Sequence, residues 1–227
     1  MLTAIAIIPS APVLVPELAG AAADETADLR AAVLACAGEL PDRWIAVGVD
    51  ADDATVGPDA VGTFAGYGVD IPVALSPDAV RPAPVPLCGL VAGWVRGQVA
   101  PAASVQVRTF IATRDLAAAV DHGQRLRAEI DQAGDAVGVL VVADGVITLT
   151  PSAPGGHDPD SDVVQSALDD ALATGDCAAL VGLPDGVVGR VAYAVLAGLA
   201  DPAPGAAVEH YRGAPYGVGY FAGVWRP

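Results

Sequence analysis

With 227 residues, 53% of them hydrophobic and 17% charged, the chain is long and apolar enough to bury a sizeable core as one large domain or two small ones. Acidic residues (27) outnumber basic ones (11, all arginine), and the net charge of −16 repels phosphate backbones and anionic headgroups, which argues against nucleic acid or a membrane surface as partner. Cys36, Cys88 and Cys177 are odd in number, far apart and without CxxC spacing, so neither a disulfide framework nor a zinc knuckle is expected. Aromatics make up only 5%, so Ala, Val, Gly and Leu must fill the core, which favours helices packed closely on a sheet. The N-terminus is apolar, but it lacks a basic start and is broken by Pro9, Pro12 and Pro16. No run reaches the roughly 18 apolar residues needed to span a bilayer. The expectation is a soluble, cytoplasmic protein.

In chain order, "LTAIAII" (2–8) reads as a buried strand, and the proline-rich "PSAPVLVPELAG" after it as a long loop. Residues 23–40 carry acidic groups in the first turn and apolar residues at helical spacing, which predicts a helix. "RWIAVGV" (43–49) is a second strand, followed by the acidic loop "DADDATVGPD". Residues 60–86 are irregular and suit short strands or a lid. A helix follows over 87–99, then a strand over 104–111 and a helix opened by Thr113 or Arg114 and reaching about 133. "AVGVLVVAD" (136–144) is apolar on both faces, as a central strand is. Its continuation, "ADGVITLTPSAPGGHD" (143–158), has the small and polar character of an active-site loop. Asp160 then opens a helix, residues 177–200 form two helical pieces broken near Pro184, and residues 206–225 form two strand-like runs.

This alternation predicts one α/β domain over 1–227, with a central, mostly parallel (mixed) sheet flanked by helices on both faces. A functional cleft is expected beyond the C-terminal strand ends, where the loops after residues 8, 49 and 144 converge. GxGxxG after a strand, a phosphate-binding GxxxxGKS or GxxxxGKT loop, HExxH and GxSxG are all missing, so the simplest nucleotide-binding and serine-hydrolase readings lack support. Of the three histidines, His122 lies in a polar helical stretch and reads as solvated. His210 shares a strand face with Val208 and Arg212 and reads as structural. His157 lies in the 143–158 loop, where a solvated and a functional role are both open.

Two stretches carry a resemblance. "IIPSAPVLVPELAG" (7–20) resembles the opening of the class III extradiol ring-cleavage dioxygenases, the superfamily of the protocatechuate 4,5-dioxygenase β-subunit and the Memo proteins. That opening runs from a strand through Pro-His-Pro-Pro to Pro-Glu-x-x-Gly. "ADGVITLTPSAPGGHDPDS" (143–161) is similar to the family's Gly-Asp-x-Ser-His-x-Leu-Thr-x-x-Ala-Pro-x-Gly-Tyr segment, and "APYGVGYFAG" (214–223) to its ending. The resemblance implies the family's α/β fold. In active members it also implies Fe(II) held by two His and one Glu, with a further His as acid/base.

The chain departs from that pattern at each histidine position. Ser10 replaces the first ligand, Asp50 is the best register for the second, and Ile147 replaces the acid/base residue. Glu209 is the candidate for the Glu ligand. Scaffold residues including Pro9, Pro12, Glu17, Gly20, Asp144, Thr150 and Pro154 are kept. The resemblance therefore implies a degenerate member without ring cleavage, acting as a small-molecule-binding or accessory protein. Its cleft would be lined by Ser10, Glu17, Asp50, Asp144, Thr150 and His157. No cofactor is expected, and Fe(II) only if the family's activity is retained. The alternative is a metal-dependent dioxygenase or hydrolase with a site rebuilt from Asp50, Asp144 and His157, helped by Asp52, Asp53 or Asp158. Such a carboxylate-rich site favours Mg2+, Ca2+ or Mn2+. A homodimer is expected from the mean hydropathy of +0.50, with Tyr216, Tyr220 and Trp225 of the tail able to supply contact area.

Overall fold

The computed structural model describes residues 1–227. Its first half runs through β1 (Leu2–Ile8), α1 (Pro16–Ala19), α2 (Ala27–Ala37), β2 (Arg43–Asp50), β3 (Ala54–Val56), β4 (Ala60–Thr63), β5 (Pro72–Ala74), β6 (Arg81–Pro82), α3 (Leu87–Val99) and β7 (Ser104–Ile111). The second half comprises α4 (Leu116–Ala133), β8 (Val137–Val142), α5 (Ser161–Thr174), α6 (Cys177–Leu180), α7 (Arg190–Ala200), β9 (Ala206–Gly213) and β10 (Tyr220–Arg226). Seven strands form one mixed sheet in the order β3-β7-β2-β8-β1-β10-β9. Its centre, β7-β2-β8-β1, is parallel, and β3, β10 and β9 add to it antiparallel. The expected single α/β domain with helices on both faces is what forms.

The uninterrupted apolar runs are explained by this layering, because a strand covered on both faces needs apolar residues at every position. In β1, Ile5 and Ile7 point into one core with Ile45, Val47, Val139 and Val141, under α4, α5 and α7. Ala4, Ala6 and Ile8 point the other way with Trp44, Ala46, Leu140 and Val142, under α2 and α3. The register holds Ile5 beside Val139 and Ile7 beside Val141, so the C-terminal ends of β1 and β8 finish together.

Local chemistry sets the boundaries where they differ from expectation. Helix α4 starts at Leu116, not at Thr113 or Arg114, because Asp115 caps it: its Oδ1 accepts the Ala118 N–H at 3.1 Å. The helix expected over 23–40 is shorter, Ala27–Ala37, and is preceded by a 3-10 turn at Gly20–Ala22. There the buried Thr26 hydroxyl is turned onto the carbonyls of Ala23 and Val13 (3.3 and 3.4 Å). Strand β8 ends at Val142, and after one further bond from Ala143 to β1 the chain leaves the sheet at Asp144. The irregular 60–86 segment makes a small second sheet, β5-β4-β6, whose Val73 packs against Gly93 of α3. The tail is an antiparallel pair, but Tyr220 and Trp225 are core residues, and the Trp225 indole donates to the Leu172 carbonyl at 2.7 Å. They offer no contact area for a dimer, contrary to expectation.

Small residues let α4 and α7 pack backbone against backbone. Gly123 of α4 and Gly198 of α7 face each other, and a Cβ built on either would lie 2.1 Å from a backbone carbonyl oxygen of the other helix. Gly198→Ala is therefore expected to destabilise the protein by about 2 kcal/mol or more, as overpacking outweighs the roughly 1 kcal/mol gain in helix propensity. Gly97→Ala in α3, where a Cβ meets no atom within 4 Å, should be neutral or stabilising. Urea denaturation of the two variants checks the contrast.

Candidate functional site

The chain leaves β1 at Ile8 and β8 at Val142, and the two exits are tied together. The Ala143 N–H donates to the Ile8 carbonyl at 2.9 Å. Two residues further along the first exit, the Ser10 N–H donates to Asp144 Oδ1 at 2.8 Å. A third segment closes on the same point: the Gly189 N–H, at the start of α7, donates to the Asp144 carbonyl at 3.0 Å, and the Val188 N–H to that of Gly145 at 3.2 Å. A glycine is needed there, since a Cβ on Gly189 would lie 2.6 Å from the Asp144 oxygen and 2.7 Å from Ala143 Cβ. From α7, the Tyr193 hydroxyl reaches back to the Ala143 carbonyl at 3.0 Å.

Beyond these exits lies a cleft of about 420 Å³, at the C-terminal ends of β1, β2 and β8. Ser10, Asp50, Asp144 and Gly189 line it with an otherwise mainly apolar wall that includes Val49, Leu87, Val142 and Val188. A second hollow, lined by Asp53–Thr55, β7 and α4 and including Arg108, His122 and Arg125, shares no residue with this cleft. The three loops expected to meet do meet, at Ser10, Asp50 and Asp144.

The 143–158 loop is rigidly held but turns its far end away. Gln165 of α5 accepts the Val146 N–H at 3.0 Å and donates to Asp169 at 2.8 Å. Gly145 and Gly219 make room for it, since a Cβ on either would lie within 2.1 Å of Gln165 Oε1. Further on the loop folds on itself: Gly155 N–H donates to the Ile147 carbonyl, Asp158 N–H to that of Thr148, and Leu149 pairs with His157. Thr150 meets Ser152 at 3.3 Å, and Ile147 packs on the core under α2 and α3.

Several expected site residues are therefore elsewhere. His157 is exposed and does not line the cleft; nor does Thr150. Glu17 is exposed in the single turn of α1, whose helix is too short to carry it inward. Glu209 is on the edge strand β9, ion-paired with Arg212 at 2.5 Å, with β10 between it and β1. Asp53 is tied to the Ile111 N–H and to Arg114, and the Asp52 carbonyl accepts the Thr109 hydroxyl. Asp158 accepts the Asp160 N–H ahead of α5. No group of three His, Cys, Asp or Glu side chains gathers in a geometry that could hold a metal ion. The rebuilt site of Asp50, Asp144 and His157 is not assembled.

No family model and no curated protein matches the chain in sequence. The fold has a solved counterpart. The crystal structure of an uncharacterized protein, JW3007, from Escherichia coli K12 matches with a TM-score of 0.60 and 12% sequence identity, over 98% of this chain and 99% of that one. At that identity the likeness establishes a shared fold along the whole chain. No helix here is long and apolar enough to cross a membrane.

The electrostatics of the cleft centre on Asp144. Burial pushes its carboxyl up to about 7, opposed by the Ser10 N–H. Burial also raises the Tyr193 and Tyr220 hydroxyls, so both phenols beside it stay uncharged. Sequence reading missed Gly189, Tyr193 and Gln165. Gln165 left a trace, being a polar residue three positions before Leu168 on the buried face of α5.

A carboxyl whose pKa is higher folded than unfolded binds its proton more tightly in the native state. Its contribution is then present at low pH and is lost as pH rises toward the folded value. Asp144→Asn keeps an acceptor for Ser10 and removes that loss. It should stabilise the protein at pH 8 by on the order of 3 kcal/mol and leave it nearly unchanged at about pH 4, as measured by thermal melts across pH.

Proposed function

We propose that the protein is a class III extradiol dioxygenase-like scaffold that binds a small molecule in the cleft at its strand ends and does not cleave aromatic rings. One observation carries this reading: Ser10 and Asp50, which stand at the positions of two ligand histidines in the resemblance, line one cleft together with Asp144. The order of segments supports it too, since the opening loop, the 143–158 loop and the tail surround the same strand ends.

Ferrous iron in this family's chemistry calls for two imidazoles and a carboxylate with open positions for substrate and O2. The side chains offered here are a hydroxyl and two carboxylates, without an imidazole, so the residues do not fit that ion. Ile147 cannot move a proton, and it packs half-buried against the core. What remains is an apolar hollow of ligand size with polar groups at defined points, the usual composition of a small-molecule site.

Purified protein supplied with Fe2+ and air should give no ring-cleavage product from protocatechuate, catechol or an aminophenol, followed by absorbance. Loss of a ligand or an acid/base group each lowers such rates by roughly 10²-fold or more. A screen of one-ring compounds by ligand-observed NMR should give binders that are lost in Ala51→Trp and Val188→Trp, which fill the mouth of the cleft from exposed positions. Ring cleavage by the unmutated protein, or binders untouched by both substitutions, would overturn the proposal.

A further inference from the structure

The polar groups of the cleft are lopsided. Its charged side chains are Asp50 and Asp144, and neither arginine nor histidine lines it. The arginines nearest in the chain are committed outside it: Arg114, two residues after Ala112, to Asp53, and Arg190, next to Gly189, to Asp185 at 2.8 Å. Asp144 Oδ1 accepts the Ser10 N–H, whereas Oδ2 and both carboxylate oxygens of Asp50 accept nothing from the protein. The N-terminal turn of α3 brings a positive pole to the cleft at Leu87, but Asp50 already stands beside it, its charge felt at Cys88. The cleft thus presents free acceptors and negative charge against Val49, Leu87, Val142 and Val188.

A ligand that complements this surface brings N–H donors, a positive charge and a hydrocarbon body. We propose that the cleft takes an organic cation, a primary or secondary amine on an apolar body of about one ring, with its ammonium group held by Asp144 and Asp50. This rests on reading the cleft as a small-molecule site and adds the charge class of the ligand. The size fits, because an apolar cavity of about 150 Å³ already admits benzene and the cleft offers about 420 Å³. An ammonium supplies up to three donors, which matches the three carboxylate oxygens left free. A catecholate or carboxylate brings only acceptors and another negative charge.

Asp144 also predicts how binding responds to pH. The groups facing it are the Ser10 N–H, the uncharged Tyr193 and Tyr220 phenols, and Asp50 across the cleft. Burial holds the Asp144 carboxyl at about 7. An ammonium binds its ionised form, so affinity should rise from about pH 6 to about pH 8.

The test is calorimetric titration of the full-length protein at near-physiological salt with benzylamine, benzyl alcohol and benzoate as probes. Amide chemical shifts at Ser10, Asp144 and Gly189 locate each one. Benzylamine should bind at least about tenfold more tightly than benzyl alcohol, with benzoate weakest, as expected for a charge-assisted hydrogen bond. Asp144→Asn, which is isosteric and keeps the acceptor for Ser10, should cost benzylamine about tenfold or more and cost benzyl alcohol several-fold less than that. Asp50→Asn should cost it less, since Asp50 is exposed at the rim. Equal or tighter binding of benzyl alcohol or benzoate at these residues, or an Asp144→Asn variant with unchanged benzylamine affinity, overturns the cation assignment and leaves the small-molecule cleft standing. Absence of binding by all three probes up to about 10 mM, a threshold set by affinities weaker than about 3 kcal/mol, overturns both.

Discussion

The hydrogen bond from the Ser10 N–H to the Asp144 carboxylate joins residues 134 apart in the chain at the place where two adjacent strands end. A strand that leaves a sheet exposes a backbone donor no neighbouring strand can satisfy, and burying such a donor unpaired costs about 1–3 kcal/mol. Asp144 supplies the acceptor for β1, while its own carbonyl accepts the Gly189 N–H from α7. One residue therefore holds three segments in register, and the cleft is the space left between them.

That arrangement places a carboxylate among apolar neighbours, and two features limit the cost. Ser10 favours the ionised form, and burial favours the protonated one, which leaves the group near neutrality. The backbone around it is held independently, by Tyr193 on the Ala143 carbonyl and by Gln165 on the Val146 N–H.

The likeness to the E. coli protein spans nearly both whole chains at 12% identity. Agreement of that kind follows from layering and patterning, which many sequences satisfy, rather than from particular side chains. The cleft residues belong to this chain's own chemistry. Ser10, Asp50 and Asp144 were legible in the sequence because each lies within two residues of an apolar run, so the strand ends carry them to the cleft. His157 and Thr150 were misplaced because the loop beyond Leu149 folds back through its own backbone hydrogen bonds, which spacing does not reveal. Glu17 failed because α1 is a single turn, and Glu209 because β9 is an edge strand where alternation gives no burial.

What the sequence determined by itself is the order of strands and helices and which of them are buried. Periods of two and of 3.6, caps such as Asp115 and uninterrupted runs such as "VGVLVV" are local properties, each set by residues a few positions apart. What only the tertiary structure decided is which polar groups meet. Gly189, Tyr193 and Gln165 reach the Asp144 loop from helices far along the chain, and Gly123 faces Gly198 across two helices. Those contacts depend on distances between elements, and such distances arise from how the two cores fill on either side of the sheet, a sum over many side chains that no single stretch of sequence contains.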